Sequence, residues 1–313
     1  MKVFLTGATG YIGSVVAEKL QDAGHTIIGL ARSDASAEAL GARGIEVVRG
    51  DLNSPNTLTA AARAAEGVIH TAFNFDGLDF AASSATEVQA VRALIEGLEG
   101  TDKPLVITSG TAILGDTGDR VFDEETPVIL PPTDPADTGN SGLKALRARI
   151  ETEHDVLSAT GVHGIVLRPP SVYGRSGGRS LLLTMLPVAA QSLGAVPYAA
   201  GTAEHQWTFV HVDDLADLYV LALERAKAGE LFHAGAESGL RTKAIAQAVS
   251  QEIGLGGKTV ELEISELGKA FGILPMAEYW ALNCQSSSEK ARRVLGWKPK
   301  HVQMLTEIAQ RTA

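Results

Sequence analysis

The sequence of 313 residues has one cysteine, few aromatic residues and no long apolar run. The single cysteine, Cys284, excludes an intramolecular disulfide and a zinc site built from several thiolates, which fits a reducing cytoplasm. No stretch approaches the roughly 18 uncharged apolar residues that span a bilayer, and the first residues, MKVFLTG, predict a strand rather than a signal peptide. We therefore expect a cytoplasmic protein with no membrane contact.

Positive charge is also scarce. The chain carries 27 Lys and Arg against 37 Asp and Glu, for a net charge of −10. A nucleic-acid surface needs clustered basic side chains, so we expect no nucleic-acid partner and keep open only a local basic pocket for a small anion. The length allows a large buried core, either in one large α/β unit or in a large domain with a smaller partner.

The chain does contain a regular alternation of two patterns. Short apolar runs predict buried strands at 3–6, 26–30, 45–48, 67–70, 104–108 and 164–168. Helical patterns lie between them at about 11–23, 34–43, 56–66, 83–99 and 141–160. This order demands parallel strands joined by right-handed crossovers, so the sequence predicts an α/β fold with a doubly wound parallel (Rossmann) sheet.

The alternation weakens beyond about residue 175, where helices mix with short strands. We therefore predict a dinucleotide-binding domain at 1–174, to which parts of 205–235 return, and a smaller substrate-binding lobe that makes up most of 175–313. The long irregular stretch at 115–141 follows the fifth strand, at the edge where open α/β sheets bind ligands. A loop of that length in a compact domain favours a functional role.

A glycine-rich loop follows the first predicted strand and opens the first helix. Its glycines, Gly7, Gly10 and Gly13, allow a tight turn, a close approach of the backbone to a pyrophosphate and close helix packing. The helix N-terminus adds N–H donors and the positive end of a dipole. Because strand, spacing and helix agree, the loop indicates dinucleotide binding. The residues that we expect to contact the cofactor here are Gly7, Thr9, Gly10, Tyr11 and Ile12.

The end of the second strand bears on which dinucleotide is bound. An acidic residue near this position takes the ribose hydroxyls of NAD, whereas an arginine suits the 2′-phosphate of NADP. Arg32 and Ser33 stand there, so NADP(H) is favoured, while Asp34 close by keeps NAD(H) as the alternative. Asp51 and Leu52 follow the third strand, where they are placed to meet the adenine, although Asp51 can equally cap a helix.

Several motifs together resemble the extended and atypical branch of the short-chain dehydrogenase/reductase superfamily, which is related to nucleotide-sugar epimerases and dihydroflavonol-type reductases. The resemblance runs almost end to end. The motifs are TGATGYIG at 6–13, GDL at 50–52, VIHTA at 68–72, VITSGTAILG at 106–115, EETP at 124–127, VLRPPSVYG at 166–174, WTFVHVDDLA at 207–216 and SSEKARRVLGWKP at 287–299.

The resemblance implies further contacts. Thr71, Ala72 and Phe73 are expected along the pyrophosphate and the nicotinamide ribose, and the segment 169–172, with Pro170 and Val172, beside the nicotinamide amide. Residues 207–211 and the C-terminal lobe are expected to shape the substrate side. The block that ends near Trp297 is expected to be a packing signature of that lobe.

Family members usually use a Tyr and, four residues later, a Lys on one helical face, but GNSGLKALRARIE at 139–151 has no tyrosine. One alignment puts Arg147 at the Lys position and Leu143 at the Tyr position. The other uses Lys144 and puts Asn140 at the Tyr position. We prefer Arg147, because Glu151 one turn later can hold its guanidinium toward the ribose, although such a pair can also be an ordinary surface pair.

The family's serine position falls on Gly110, with a hydroxyl residue on each side. Thr111 is the first candidate to hold the substrate oxygen and Ser109 the second. Tyr173, after the sixth strand, is a candidate replacement acid, and its alternative is packing in the turn. Water or the substrate itself is also a possible source of the proton.

These residues predict an NAD(P)-dependent oxidoreductase that prefers NADPH and transfers a hydride to a small carbonyl, imine or enone. The alternatives are a nucleotide-sugar epimerase or dehydratase and a catalytically silent NADP-binding sensor or partner protein. The helices at 83–99 and 141–160 each carry one apolar stripe. The resemblance implies that they form a homodimer, whereas each stripe can instead be buried against the sheet.

Overall fold

The computed structural model describes residues 1–74, 79–129, 141–175 and 180–310, with the Ser141 side chain left out. Its strands are β1 (Lys2–Thr6), β2 (Thr26–Ala31), β3 (Glu46–Arg49), β4 (Gly67–His70), β5 (Pro104–Thr108), β6 (His163–Arg168), β7 (Ser171–Tyr173), β8 (Val196–Ala199), β9 (Gln206–His211), β10 (Glu230–His233), β11 (Glu237–Arg241) and β12 (Thr259–Leu262). A short 3-10 helix spans Thr111–Leu114.

The helices follow the predicted alternation. They are α1 (Tyr11–Asp22), α2 (Asp34–Ala42), α3 (Pro55–Ala64), α4 (Phe80–Leu98), α5 (Ser141–Ser158), α6 (Leu181–Leu193), α7 (Val212–Arg225), α8 (Thr242–Glu252), α9 (Ile264–Phe271), α10 (Leu274–Trp280), α11 (Glu289–Leu295) and α12 (Met304–Ala309). The six strands and five helices predicted for the first part of the chain are all present, with ends that differ by at most three residues.

The central sheet has seven parallel strands in the order β10-β6-β5-β4-β1-β2-β3. Alternate side chains of β1 enter two different cores, because successive residues of a strand point to opposite faces. Val3 and Leu5 pack with residues of α1 and α7, whereas Phe4 packs with residues of α3 and α4. The predicted doubly wound parallel sheet is thereby confirmed. The strand order reverses between β1 and β4, which is the point where such sheets bind ligands.

The later part of the chain forms two small sheets, one in the order β11-β9-β7 and one that pairs β12 with β8. A separate core lies here, in which Trp207 and Trp280 are completely buried with ring centroids 5.0 Å apart. The chain also returns to the first part, because α7 packs on α1 and β10 pairs with β6. The division into two domains at residue 174 stays a prediction.

The long irregular stretch is described as far as residue 129, and residues 130–140, including Asn140, lie outside the described residues. Within it, Phe122 forms a bridge with Ser286, and its backbone N–H donates to the Gln285 carbonyl oxygen at 3.1 Å. The loop is thus fastened to the C-terminal part of the chain at Phe122.

Helices α4 and α5 pack against each other on one face of the sheet. Val91 and Leu98 of the predicted stripe on α4 are completely buried in the core beneath. The stripe is therefore used against the sheet, and dimerisation through these helices stays a prediction. No helix in the described ranges is long and apolar enough to cross a membrane.

Candidate active site

A cleft of about 750 Å³ runs along the carboxyl edge of the central sheet, across the point where the strand order reverses. We call the part beside residues 7–13 and the ends of β2 and β3 the glycine-loop end, and the part beside β5, α4 and α5 the Arg149 end. The walls are formed by Gly7, Thr9–Gly13, Leu30, Arg32, Ser36, Gly50–Asn53, Thr71–Asn74, Thr86, Glu87, Thr108, Ser109, Arg149, Pro169, Pro170, Val172, Ser180, Leu181 and Thr184.

The shape of the glycine loop requires glycine at two of its positions, Gly7 and Gly13. Gly7 has a φ of +76°, and a Cβ there would lie 2.8 Å from the Ala72 nitrogen. A Cβ on Gly13 would lie 2.1 Å from the Gly7 carbonyl oxygen, so helix α1 can approach the loop only with glycine at this position. The first turn of α1 therefore lies against the cleft, with the backbone N–H groups that have no partner inside a helix.

The end of β2 is arranged by a capped helix. The Ser33 hydroxyl accepts from the Ser36 N–H at 3.2 Å and forms a capping box that starts α2. Arg32 and Ser36 line the cleft, whereas Ser33, predicted to contact the cofactor, is used as the cap and does not line it. Asp34, the residue that kept NAD open, is fully exposed and pairs with Arg49.

Asp51 does not cap helix α3, whose N-cap is Ser54, and its contact with the adenine stays a prediction. It lines the cleft together with Leu52, as an adenine contact would. Its Oδ1 also accepts from the Asn53 N–H at 2.9 Å and from the Ser54 hydroxyl at 2.8 Å, which shapes the turn before α3.

The other end of the cleft is organised around Arg149 of α5. Its guanidinium lies 4.8 Å from the centroid of the Phe73 ring. Its Nη1 donates to the Glu87 Oε1 and to the Thr108 carbonyl oxygen, each at 3.2 Å. Thr71, Ala72, Phe73, Pro170 and Val172, the contacts implied by resemblance, all line the cleft.

The predicted cation on this helix, Arg147, does not line the cleft. Residues two positions apart in an α-helix are separated by about 200° around its axis. Arg147 and Arg149 therefore cannot point the same way. The predicted partner Glu151 accepts from the Arg92 Nη2 of α4 at 2.5 Å. The structure thus replaces Arg147 with Arg149 at the cleft wall. Sequence reasoning missed Arg149 because the spacing between Tyr and Lys that is usual in the family points to Arg147 or Lys144.

Glu87 of α4 is the second residue that the sequence reasoning missed. Its side chain is 2% exposed, and its Oε2 is buried without a hydrogen-bond partner among the described residues. Burial raises the pKa of this carboxyl above its usual value, although Arg149 opposes the shift. The available signal was a charged residue on the buried face of a helix, four residues before the buried Val91.

The two hydroxyls beside Gly110 have different surroundings. Ser109 lines the cleft, and its Oγ is buried without a partner among the described residues. Thr111, the first candidate, is 1% exposed, and its hydroxyl lies 3.8 Å from the Cys284 Sγ. Its N–H donates to the Pro169 carbonyl oxygen at 3.0 Å, and the residue does not line the cleft. Ser109 therefore replaces Thr111 as the candidate to hold a substrate oxygen.

Tyr173, the candidate acid, does not line the cleft either. Its ring packs edge-on against His211, with centroids 5.1 Å apart, and its hydroxyl donates to the His301 carbonyl oxygen at 3.4 Å. Burial raises the pKa of this phenol. The packing alternative describes Tyr173, and among the described residues of the cleft wall the tyrosine is Tyr11, which donates to the Gly174 carbonyl oxygen at 2.8 Å.

Comparison with known proteins now identifies the family. The model of the NAD dependent epimerase/dehydratase family matches residues 3–235. The chain belongs to the NAD-dependent epimerase/dehydratase family. An uncharacterized protein of Schizosaccharomyces pombe is 33% identical over 310 residues, covering 99% of this chain and 98% of that protein. A 3-diazoavenalumate denitrifying reductase of a Streptomyces species is 26% identical over 314 residues, covering 96% and 97%.

A solved structure has the same fold. The crystal structure of gox2253 superposes with a TM-score of 0.74 at 25% sequence identity, covering 99% of both chains. The membership of an epimerase/dehydratase-type family of NAD-dependent enzymes, inferred above from motifs, is thus confirmed.

The residues present fit the dinucleotide that this epimerase/dehydratase family uses. The glycine loop leaves a cradle that a side chain at Gly7 or Gly13 would fill. At the Arg149 end, Ser109 and Glu87 place unpartnered buried oxygens in the cleft wall, as expected where a ligand completes the hydrogen bonding. Among the described residues, no group of three or more His, Cys, Asp or Glu is arranged to hold a metal ion.

Proposed function

We propose that the protein is an NAD(P)-dependent oxidoreductase that prefers NADPH and reduces a small carbonyl, imine or enone. The observation that carries this proposal is the composition of the cleft wall. The cleft runs from a dinucleotide loop to the Ser109 hydroxyl, which has no partner among the described residues and lies in the same wall as the Arg149 cation.

The cofactor preference rests on the end of β2. Arg32 lines the cleft there, and Ser36 adds a hydroxyl at the start of α2. Asp34 pairs with Arg49 and does not line the cleft, so it is not placed to bind ribose hydroxyls. A guanidinium at this position favours a 2′-phosphate.

The reaction requires little covalent chemistry from the protein itself. A bound nicotinamide dinucleotide would supply the hydride, held by the glycine loop, by Arg32 and by the wall from Thr71 to Phe73. Ser109 would hold the reacting oxygen of the substrate by a hydrogen bond. Arg149 places positive charge near the oxygen where negative charge develops, which stabilises the transition state more strongly in a partly enclosed cleft than in water.

Two observations favour a reduction. The Arg149 end has no tyrosine among its described residues, which suits a substrate activated by its own chemistry. The similarity to a Streptomyces reductase along nearly the whole chain also supports it. The second candidate is a nucleotide-sugar epimerase or dehydratase, which the family match favours.

Cofactor preference is tested by Arg32→Asp. Loss of a charged hydrogen-bond partner costs about 1.5–3 kcal/mol, so the NADPH affinity should fall about 10- to 100-fold while the NADH affinity changes little. Fluorescence titration with both dinucleotides measures this. Arg63→Asp, which makes the same charge change at an exposed position on α3, is the matched control and should leave both affinities unchanged. Equal losses for NADPH and NADH would remove Arg32 from the cofactor site.

The reaction class is tested by following the loss of NADPH absorbance with aldehydes, ketones, imines and enones. Turnover of at least one class is expected. Conversion of a nucleotide sugar without net consumption of the dinucleotide would instead support an epimerase. Tight NADPH binding with no turnover of any substrate would identify a silent binding protein and overturn the proposal.

A further inference from the structure

We propose, on the basis of the oxidoreductase function proposed above, that the Glu87 carboxyl donates the proton that the substrate oxygen takes up during reduction. The family's usual donor, a tyrosine, is absent from the helix that would carry it, and neither Thr111 nor Tyr173 lines the cleft. Glu87 comes from a different helix, α4, and is the acidic side chain in the described wall of the Arg149 end.

The position of Glu87 distinguishes it from a structural carboxylate. Its Oε1 accepts from Arg149 at 3.2 Å, whereas its Oε2 is buried without a partner among the described residues. A buried polar oxygen normally has a partner, because leaving it without one costs about 1–3 kcal/mol. Ser109 Oγ, in the same wall, also lacks a partner. A substrate oxygen placed between them would supply both missing hydrogen bonds.

The charges around Glu87 suit an acid that must hold a proton and then release it. Burial raises the pKa of the carboxyl, and the Glu153 carboxylate of α5 adds to the shift. Arg149, on the same helix, acts in the opposite direction and keeps the pKa from rising further. The Arg149 Nη1 is shared with the Thr108 carbonyl oxygen, so its charge compensates only part of the burial. His70 of β4 is neutral at neutral pH, because burial lowers its pKa to about 4.

The substrate carbon receives a hydride from a reduced nicotinamide dinucleotide, and the π electron pair of the carbonyl moves to the oxygen. The O–H bond of Glu87 breaks as a new O–H bond forms on the substrate. The products are an alcohol, the oxidised dinucleotide and a Glu87 carboxylate, which Arg149 stabilises. A proton from water restores the acid before the next turnover.

The kinetic test compares Glu87→Gln with Glu96→Gln in the full chain. The glutamine at position 87 keeps an oxygen that can accept from Arg149 but has no acidic proton. Glu96 lies on the same helix and is exposed, so the same substitution there is the matched control. We expect the kcat of Glu87→Gln to fall about 10²–10⁴-fold, the usual contribution of a general acid, with the KM for NADPH unchanged.

The pH profile separates a donor from a residue that only orients Arg149. The wild-type kcat should fall as pH rises through the pKa of the acid, because only the protonated carboxyl can donate. The residual kcat of Glu87→Gln should lack this fall. A second variant, Glu87→Asp, keeps an acid and should keep a fall in kcat at high pH. A wild-type profile in Glu87→Gln, or a change confined to KM, would overturn the proposal and leave the oxidoreductase function standing.

A measurement without turnover completes the test. Infrared difference spectra between the NADPH-bound wild type and NADPH-bound Glu87→Gln should show the carbonyl stretch of a protonated carboxyl at neutral pH. The band should be present in Glu96→Gln and absent from Glu87→Gln. The absence of this band from the wild type would overturn the donor role alone. If the wild type binds NADPH but reduces nothing, the oxidoreductase function fails, and the donor role fails with it.

Discussion

The two ends of the cleft are built in different ways. The glycine-loop end comes mainly from one short stretch, residues 7–13, whose backbone path depends on glycine at positions 7 and 13. The Arg149 end is assembled from side chains of separate elements, with Phe73 after β4, Glu87 on α4, Ser109 after β5 and Arg149 on α5. The first end is the part that we propose binds the dinucleotide, and the second is the part that we propose binds the substrate.

The two ends of the cleft also differ in the interactions that stabilise them. The glycine-loop end depends on the path of its backbone, which requires glycine at positions 7 and 13. The Arg149 end contains two charged side chains, Arg149 and Glu87, which are largely buried and pair with each other. That end therefore depends on ion pairs beneath it. Arg168 of β6 and Glu153 of α5 form a pair that is almost completely buried and joins the helix that carries Arg149 to the sheet.

The largest effect is expected for Glu153→Ala. Arg168 Nε donates to Glu153 Oε1 at 2.9 Å, and removing the carboxylate leaves a buried guanidinium without its counter-charge. Breaking a buried pair in this way costs about 3–5 kcal/mol, which urea unfolding would measure. The exposed pair between Arg92 of α4 and Glu151 also involves α5, so Glu151→Ala is the control and should cost less than about 1 kcal/mol. Similar losses in the two variants would contradict the dependence on buried pairs.

Gly13→Ala should lower the stability less than Glu153→Ala does, but it should abolish NADPH binding. The new methyl group would lie 2.1 Å from the Gly7 carbonyl oxygen, so helix and loop must separate. Overpacking of this kind costs about 1–3 kcal/mol, and we expect NADPH binding to be lost in a fluorescence titration.

The control for that substitution is Gly41→Ala in α2. A Cβ there meets nothing within 4 Å, and alanine is favoured over glycine in a helix, so the control should be as stable as the wild type or more stable. NADPH binding by Gly13→Ala at wild-type affinity would show that the loop does not need its close approach to α1.

The sequence predicts the glycine-loop end well because everything it needs is local. A strand, three glycines and the start of a helix lie within the first 13 residues. Their spacing alone indicates a phosphate loop. Arg32 and Asp51 follow because they stand at the ends of the next strands. The doubly wound parallel sheet follows in the same way from the alternation of strands and helices.

The Arg149 end could not be predicted in this way. Arg147 and Arg149 are equally plausible from composition, and only the rotation of α5 against α4 decides which one reaches the cleft. Ser109 and Thr111 flank the same glycine, and the 3-10 helix that starts at Thr111 turns that hydroxyl toward Cys284. Such choices depend on long-range packing, which one-dimensional patterns do not encode.

The smallest effect is expected for Tyr173→Phe. The phenol hydroxyl makes two long hydrogen bonds, to the His301 carbonyl oxygen at 3.4 Å and to the Glu307 Oε1 at 3.5 Å, and it lies outside the cleft wall. Its removal should cost about 1 kcal/mol of stability or less and leave kcat and its pH dependence unchanged. A large fall in kcat with unchanged stability would return Tyr173 to the list of proton donors and weaken the contrast between the two ends.

The chain leaves the central sheet after β6 and returns as β10 only at residue 230. Strand β6 therefore has a neighbouring strand on both sides only when β10, from the later part of the chain, pairs with it. A fragment ending near residue 174 would expose the backbone of β6 as an open edge, which pairs readily with other molecules. Such a fragment would aggregate instead of serving as a minimal dinucleotide-binding module. Shortening the protein from its C-terminus thus removes solubility before it removes any residue of the glycine loop.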